Sequence, residues 1–270
     1  MKAIVIVAWI WTRTLPITKT IPKEMLPVGD KPVIQYVIEC IVSAGIEDIL
    51  MITSDQKKAL EDYFDKDYEL ESVLTSKWKN DLLDLVAAPA AMGNFAFVRQ
   101  KQPLWTAHAI LQAEPWIADD YFLVVYGDSI YSPYLIVDIL KKFAEVKTSI
   151  LAVNQVPHTE TCRYGCLRLD GDRALEIVEK PKIEDAPSDF VWNGVGLFHR
   201  SLFDFIKKTA INTAVNEYYI TDTFNMLMQQ QDVRIVQTDP FWDVGSIDSR
   251  MKANAKIYAD GYLFPPRASV

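Results

Sequence analysis

The sequence predicts an α/β chain, with a doubly wound, mostly parallel sheet and a small antiparallel lobe in its second half. Three observations carry this. Residues 2–154 alternate short β-branched runs with longer amphipathic segments, as repeated strand–helix–strand units do. The runs at 2–8 and 121–126 are apolar almost throughout, which suits strands covered on both faces. Past residue 155 the pattern turns to short strands, two of them joined by Asp170-Gly171-Asp172, a hairpin turn.

In order, the expected elements begin with a buried strand at 2–8 and a helix at 32–45. In that helix Ile34, Val37, Ile38, Ile41 and Val42 share one face and Gly45 ends it. A strand at 48–53 leads to helical segments at 57–64 and 68–85. A strand at 94–100 precedes a helix at 107–113. The strand at 121–126 ends in Gly127-Asp128, then come a helix at 134–143 and a strand at 149–154. The hairpin pairs 165–169 with 174–179. A strand at 191–198, helices at 202–208 and 219–230, a strand at 233–238 and a helix at 246–258 complete the chain. No repeat, low-complexity linker or composition break divides it. The 270 residues are expected to form a single domain: a first half over 1–155, a second over 156–245, and a terminal helix and tail over 246–270.

A net charge of −8 with no basic cluster argues against nucleic acid or an anionic membrane as partner. No apolar stretch reaches the ~18 residues of a membrane span, and the apolar run near residue 1 reads as a strand rather than a leader. Cys40, Cys162 and Cys166 lack the spacing of a metal site and are a poor disulfide count. They are expected to be packing residues in a reducing cytoplasm. His108, His158 and His199 are scattered, away from metal-ligand spacing.

Several residues stand where open α/β sheets bind ligands, beyond the carboxyl ends of strands. Arg13 and Lys23 follow the first strand and suit phosphate oxygens; as isolated residues they are equally solvated surface cations. Asp128 follows the strand at 121–126, and Asp243 stands in Trp242-Asp243-Val244-Gly245. Two such carboxylates can hold Mg²⁺, or can serve as turn and helix-cap residues. Glu179-Lys180-Pro181 ends a strand of the hairpin that Arg163-Tyr164-Gly165 opens. Lys180 there can take a sugar phosphate, Glu179 a hydroxyl, and Gly165 a close backbone approach, although the motif is also ordinary strand-end polarity. Trp9, Trp11 and Trp105 read as residues of loops leaving strands, where a binding or plugging role stands beside plain packing.

Taken together and in order, IPKEMLP (21–27), DKPVIQY (30–36), AGIED (44–48), YEL with Glu71 (68–71), VRQK (98–101), RYG (163–165), VEKP (178–181) and DVG (243–245) resemble the sugar-phosphate nucleotidyltransferases, most closely the bacterial-type UTP–glucose-1-phosphate uridylyltransferases. The resemblance covers nearly the whole chain. It implies a Rossmann-like fold and in-line attack of glucose 1-phosphate on the α-phosphorus of UTP, with pyrophosphate leaving. It places Arg13 and Lys23 on the triphosphate as the catalytic cations. Ala8 and Gln100 fall at the base, Gly165, Glu179, Lys180 and Glu217 at the sugar phosphate, and Asp128 and Asp243 on Mg²⁺. It also implies a homo-oligomer, dimer or tetramer, to which the tail at 257–270 is a candidate contact. It leaves open UTP against dTTP and glucose against a related sugar.

The departures cluster on the nucleotide side. The family's A-G-x-G-T-R is here Ala8-Trp9-Ile10-Trp11-Thr12-Arg13, and its L-G-x-G-H-A is Leu104-Trp105-Thr106-Ala107-His108-Ala109. A further Gly-Arg-Tyr near the sugar is Gly194-Val195-Gly196. Where the lost glycines had positive φ, the loops are expected to take a new course. The expected function is UDP-glucose synthesis with a base site lined by Trp9, Trp11 and Trp105. The alternative is a relative whose base pocket those tryptophans plug, acting as a regulatory or assembly partner. A third is a chain that keeps only the fold.

Overall fold

A computed structural model describes residues 1–9, 14–211 and 218–264. Strand β1 (Ala3–Ile6) lies inside the sheet with every residue buried. It is followed by a short ribbon of β2 (Pro27–Val28) and β3 (Lys31–Pro32), then α1 (Val33–Val42), β4 (Asp48–Thr53), α2 (Lys58–Tyr63), α3 (Tyr68–Ser76), α4 (Asn80–Ala91) and β5 (Asn94–Arg99). Next come α5 (Trp105–Leu111), β6 (Tyr121–Tyr126), β7 (Ser129–Ile130), α6 (Leu135–Val146) and β8 (Ser149–Gln155). The hairpin of β9 (Gly165–Asp170) and β10 (Arg173–Glu179) leads to β11 (Phe190–His199), α7 (Leu202–Lys208), α8 (Ile220–Gln230), β12 (Val233–Gln237), β13 (Trp242–Asp243) and α9 (Ile247–Asp260).

Among the described residues nine strands form one sheet in the order β5-β4-β1-β6-β11-β8-β12-β10-β9. Strands β5, β4, β1 and β6 run parallel. Strand β11 enters antiparallel between β6 and β8, and β12 lies parallel to β8. The small antiparallel lobe is the β9–β10 hairpin, joined to the sheet through Arg173 opposite Arg234. Alternate residues of β1 feed opposite cores, as the period of two requires. Ala3, Val5 and Val7 pack with Ile34, Val37 and Ile38 of α1 and Ile136 and Ile139 of α6. Ile4, Ile6 and Ala8 pack with Ala107 and Ile110 of α5 and Phe203 and Phe224 of α7 and α8. Covering both faces explains why the strand is apolar without alternation.

The sequence misplaces one helix. The segment expected at 68–85 is two helices broken at 77–79, where Trp78 takes a left-handed φ of +56°. No glycine or proline marks that break, so periodicity runs straight through it. The cysteine expectation also needs correction at one position. Cys40 and Cys166 are buried, but Cys162 is exposed, because it sits on the surface turn before β9.

Candidate active site

Strands β1 and β6 are parallel neighbours with Ile6 opposite Tyr126, so their ends deliver Trp9 and Asp128 to the same level. Gly127 makes this possible, since a Cβ there would stand 2.4 Å from Val7 Cγ1. The β7–β13 ribbon sets Asp243 opposite Ser129 and so beside Asp128. Asp243 does not cap α9: Ser246 does, in a reciprocal arrangement with Ser249. Asp243 Oδ1 instead accepts from the Gly245 amide at 3.0 Å, and Oδ2 from Arg163 Nη2 at 2.7 Å. Asp128 Oδ2 accepts from Lys23 Nζ at 2.6 Å. Both carboxylates of the expected metal pair are therefore held by cations.

These groups line a cavity of about 210 Å³. One end carries Asp128, Arg163, Gly165, Glu179, Lys180 and Asp243; the other is closed by Trp9, Trp105 and Tyr126. Lys180 sits at a φ of +43° after β10, and its Nζ lies 3.6 Å from Glu179 Oε1. Burial raises the Glu179 carboxyl above its ordinary range, against the pull of Lys180. At the closed end Trp9 and Trp105 stack with ring centroids 5.8 Å apart, and Lys23 Nζ lies 5.1 Å from the Trp9 ring centre.

Among the expected site residues, Gly165, Glu179, Lys180, Asp128, Asp243, Trp9 and Trp105 meet at this cavity. Lys23 reaches it through Asp128 and itself lines a smaller pocket of about 30 Å³ on the other side of Trp9. Ala8 is buried in the sheet and does not line the cavity. Neither does Gln100, whose Nε2 donates to the Trp105 carbonyl at 3.1 Å and lies 2.9 Å from His108 Nδ1. Arg13, Trp11 and Glu217 lie outside the described residues. Trp105 heads α5 rather than standing in a loop, at a φ of +72°. The left-handed backbone there costs a tryptophan about 1–2 kcal/mol.

Sequence reasoning missed Asn193 and Tyr219, which also line the cavity. Asn193 arrives through a register shift of β11 against β8 between Trp192 and Gly196, and Gly194, at a φ of +92°, packs against the Tyr126 ring. An asparagine beside a glycine inside an apolar run is the one signal the sequence offers for it. The ion pair Lys57–Glu24, Nζ to Oε2 at 2.5 Å and buried, was also missed.

A model of the nucleotidyl transferase family matches residues 2–260. A protein of Methanocaldococcus jannaschii, provisionally named a UTP–glucose-1-phosphate uridylyltransferase, is 37% identical over 269 residues, covering 97% of this chain and 94% of its own. The UTP–glucose-1-phosphate uridylyltransferase of Staphylococcus epidermidis strain RP62A is 39% identical over 239 residues, 86% of this chain and 83% of its own. The crystal structure of a UDP-glucose pyrophosphorylase complexed with UDP-glucose superposes with a TM-score of 0.85 at 32% identity, covering 96% of this chain and 98% of that one. With its strand ends, its carboxylate ribbon and these relatives in agreement over nearly its whole length, the chain belongs to the nucleotidyl transferase family.

Proposed function

We propose that this chain transfers the uridylyl group of UTP to glucose 1-phosphate, giving UDP-glucose and pyrophosphate. One observation carries the reading: Asp128, Asp243 and the neighbours Glu179 and Lys180, from three separate segments, converge on one cavity. A phosphate oxygen of glucose 1-phosphate attacks the α-phosphorus in line, and the bond to pyrophosphate breaks as the new one forms. Such a reaction asks the protein to position reactants and offset charge. Lys180 pairs with the sugar phosphate, Glu179 accepts from a sugar hydroxyl, and Gly165 leaves room beside them. Lys23 and Arg13 serve the triphosphate, and Glu217 the sugar. Gln100 acts here by fixing the Trp105 carbonyl, and Ala8 by seating the end of β1; Trp9, Trp105 and, by the family resemblance, Trp11 serve the base.

Asp128 and Asp243 fit Mg²⁺. Their oxygens are hard donors, Asp128 just before β7 and Asp243 on its partner β13, and Mg²⁺ is commonly held by one or two carboxylates. Bound there it would neutralise phosphate charge. Lys23 and Arg163, paired with these carboxylates, find new partners in the triphosphate. The plugged-relative reading is the weaker one, because the cavity that Trp9 lines still carries Asp128, Glu179, Lys180 and Asp243. A cytoplasmic location is part of this proposal, since nucleoside triphosphates are available there. Assembly with a second copy is proposed through the α3–α4 hairpin, where Tyr68, Val73, Trp78, Leu82 and Leu85 are exposed. Glu69 and Glu71 near the start of α3 and Lys77 and Lys79 at its end set opposite charges at the two ends of that face, as a two-fold pairing would use.

Pyrophosphate release from UTP and glucose 1-phosphate with Mg²⁺ tests the transfer, with dTTP and ATP run alongside. Release with UTP that falls ~100-fold or more in Asp128→Ala supports it. Silence with every nucleotide, from folded protein, sinks it.

A further inference from the structure

The cavity wall on the β1–α5 side is aromatic from rim to core. Trp105 stacks on Trp9, Trp9 meets the Tyr126 ring edge-on at 4.8 Å, and Tyr126 leads through Trp192 to Phe224. The opposite end is charged. The volume between them, about 210 Å³, falls below the ~300–1,000 Å³ of pockets that hold one drug-sized ligand. A nucleoside triphosphate and a hexose phosphate cannot share it as it stands. A hexose phosphate alone finds there a cation in Lys180 and an acceptor in Glu179.

For a nucleotide base to enter at the end where Trp9 stacks on Trp105, a wall there must yield. Trp192 and Phe224 are buried core residues, and Asp128 and Asp243 are ion-paired on a hydrogen-bonded ribbon. Trp9 and Trp105 are only partly buried. Trp9 Nε1 is shut from solvent and has no acceptor among the described residues, so a swing of the ring returns a partner to that N–H. Trp105 holds a left-handed backbone that a shift of the first turn of α5 relieves.

We propose that the hexose phosphate binds this chain without nucleotide, and that the Trp9–Trp105 pair fills the nucleotide end until it is pushed aside; this rests on the hexose-phosphate reading of the Lys180 end given above. The pair thereby sets the order in which substrates bind and the apparent affinity for the nucleotide.

Calorimetric titrations on the full chain test this, with glucose 1-phosphate and UTP added separately to the parent, to Lys180→Ala and to the double variant Trp9→Gly/Trp105→Gly. Glucose 1-phosphate alone is expected to saturate the parent and to weaken ~10-fold or more in Lys180→Ala. UTP alone is expected to bind the double variant at least ~10-fold tighter than the parent, while glucose 1-phosphate affinity changes less than ~3-fold. If the double variant does not unfold cooperatively, Trp9→Ala carries the same comparison. Glucose 1-phosphate binding that appears only once UTP is present overturns the proposal, as does equal UTP affinity in parent and variant. UDP-glucose formation, measured on the same preparations, separates the two readings. Product formed by a nucleotide-first route overturns this inference alone. Sugar phosphate bound without nucleotide, with no product from any nucleotide, sinks the transfer reading and supports sugar-phosphate-first binding.

Discussion

Lys57 and Glu24 form an ion pair in which both side chains are more than nine-tenths buried, and Glu24 Oε1 has no hydrogen-bond partner among the described residues. Burial pulls the Lys57 ammonium below its ordinary range, and Glu24 draws it back up. Removing one partner strands the other charge, so Lys57→Met is expected to cost about 3–5 kcal/mol, and Lys57→Met/Glu24→Leu to recover most of it. Urea unfolding measures both, and a single-variant loss under ~1 kcal/mol would rule the account out. Glu179 gives a pH prediction. Its native carboxyl holds a proton more tightly than the unfolded chain does, because burial outweighs Lys180. Its stabilising contribution is therefore present below the unfolded value, about pH 4, and is lost as pH rises through the raised native value. Glu179→Gln lacks that loss. Its melting temperature should gain on the parent's as pH climbs through this window, then hold a constant offset. A difference independent of pH would contradict the sign.

At the scale of elements, the β1–β6 pair is the frame of the site, and Gly127 is its tightest point. A methyl group there meets the stiff, fully buried Val7 at 2.4 Å, with Ile34 and the Ile6 carbonyl also close. Gly127→Ala is expected to cost about 1–3 kcal/mol in unfolding experiments, with a loss of turnover from a displaced Asp128. Unchanged stability and turnover would show that β1 and β6 adapt freely. The sequence marks β1 and β6 well because both lie between two layers of helix and are apolar at nearly every position. It marks the α3–α4 break poorly, because that hairpin packs loosely: Leu74 is the one fully buried residue of α3, and amphipathic periodicity gives no stop.

At the scale of the whole molecule, the exposed α3–α4 face predicts self-association. Light scattering at increasing concentration should show an oligomer that Trp78→Glu/Leu85→Glu dissociates while the fold and melting transition stay intact. A parent that is monomeric at every concentration would remove that face from consideration.

The alternation of strands and helices and the strands buried on two faces are legible in the amino-acid sequence, because burial on two faces is written locally; Asp128, Gly165, Glu179, Lys180 and Asp243 stand out there only as candidates near strand ends. Only the tertiary structure decided how those residues stand to one another. The β7–β13 ribbon brings Asp243 beside Asp128 from more than a hundred residues away, and the register shift in β11 adds Asn193 to the cavity. It also decided that Gln100 holds the Trp105 carbonyl, and that Trp105 takes a left-handed backbone while stacked on Trp9. These are outcomes of packing between distant segments, and neither composition nor spacing encodes where such segments meet.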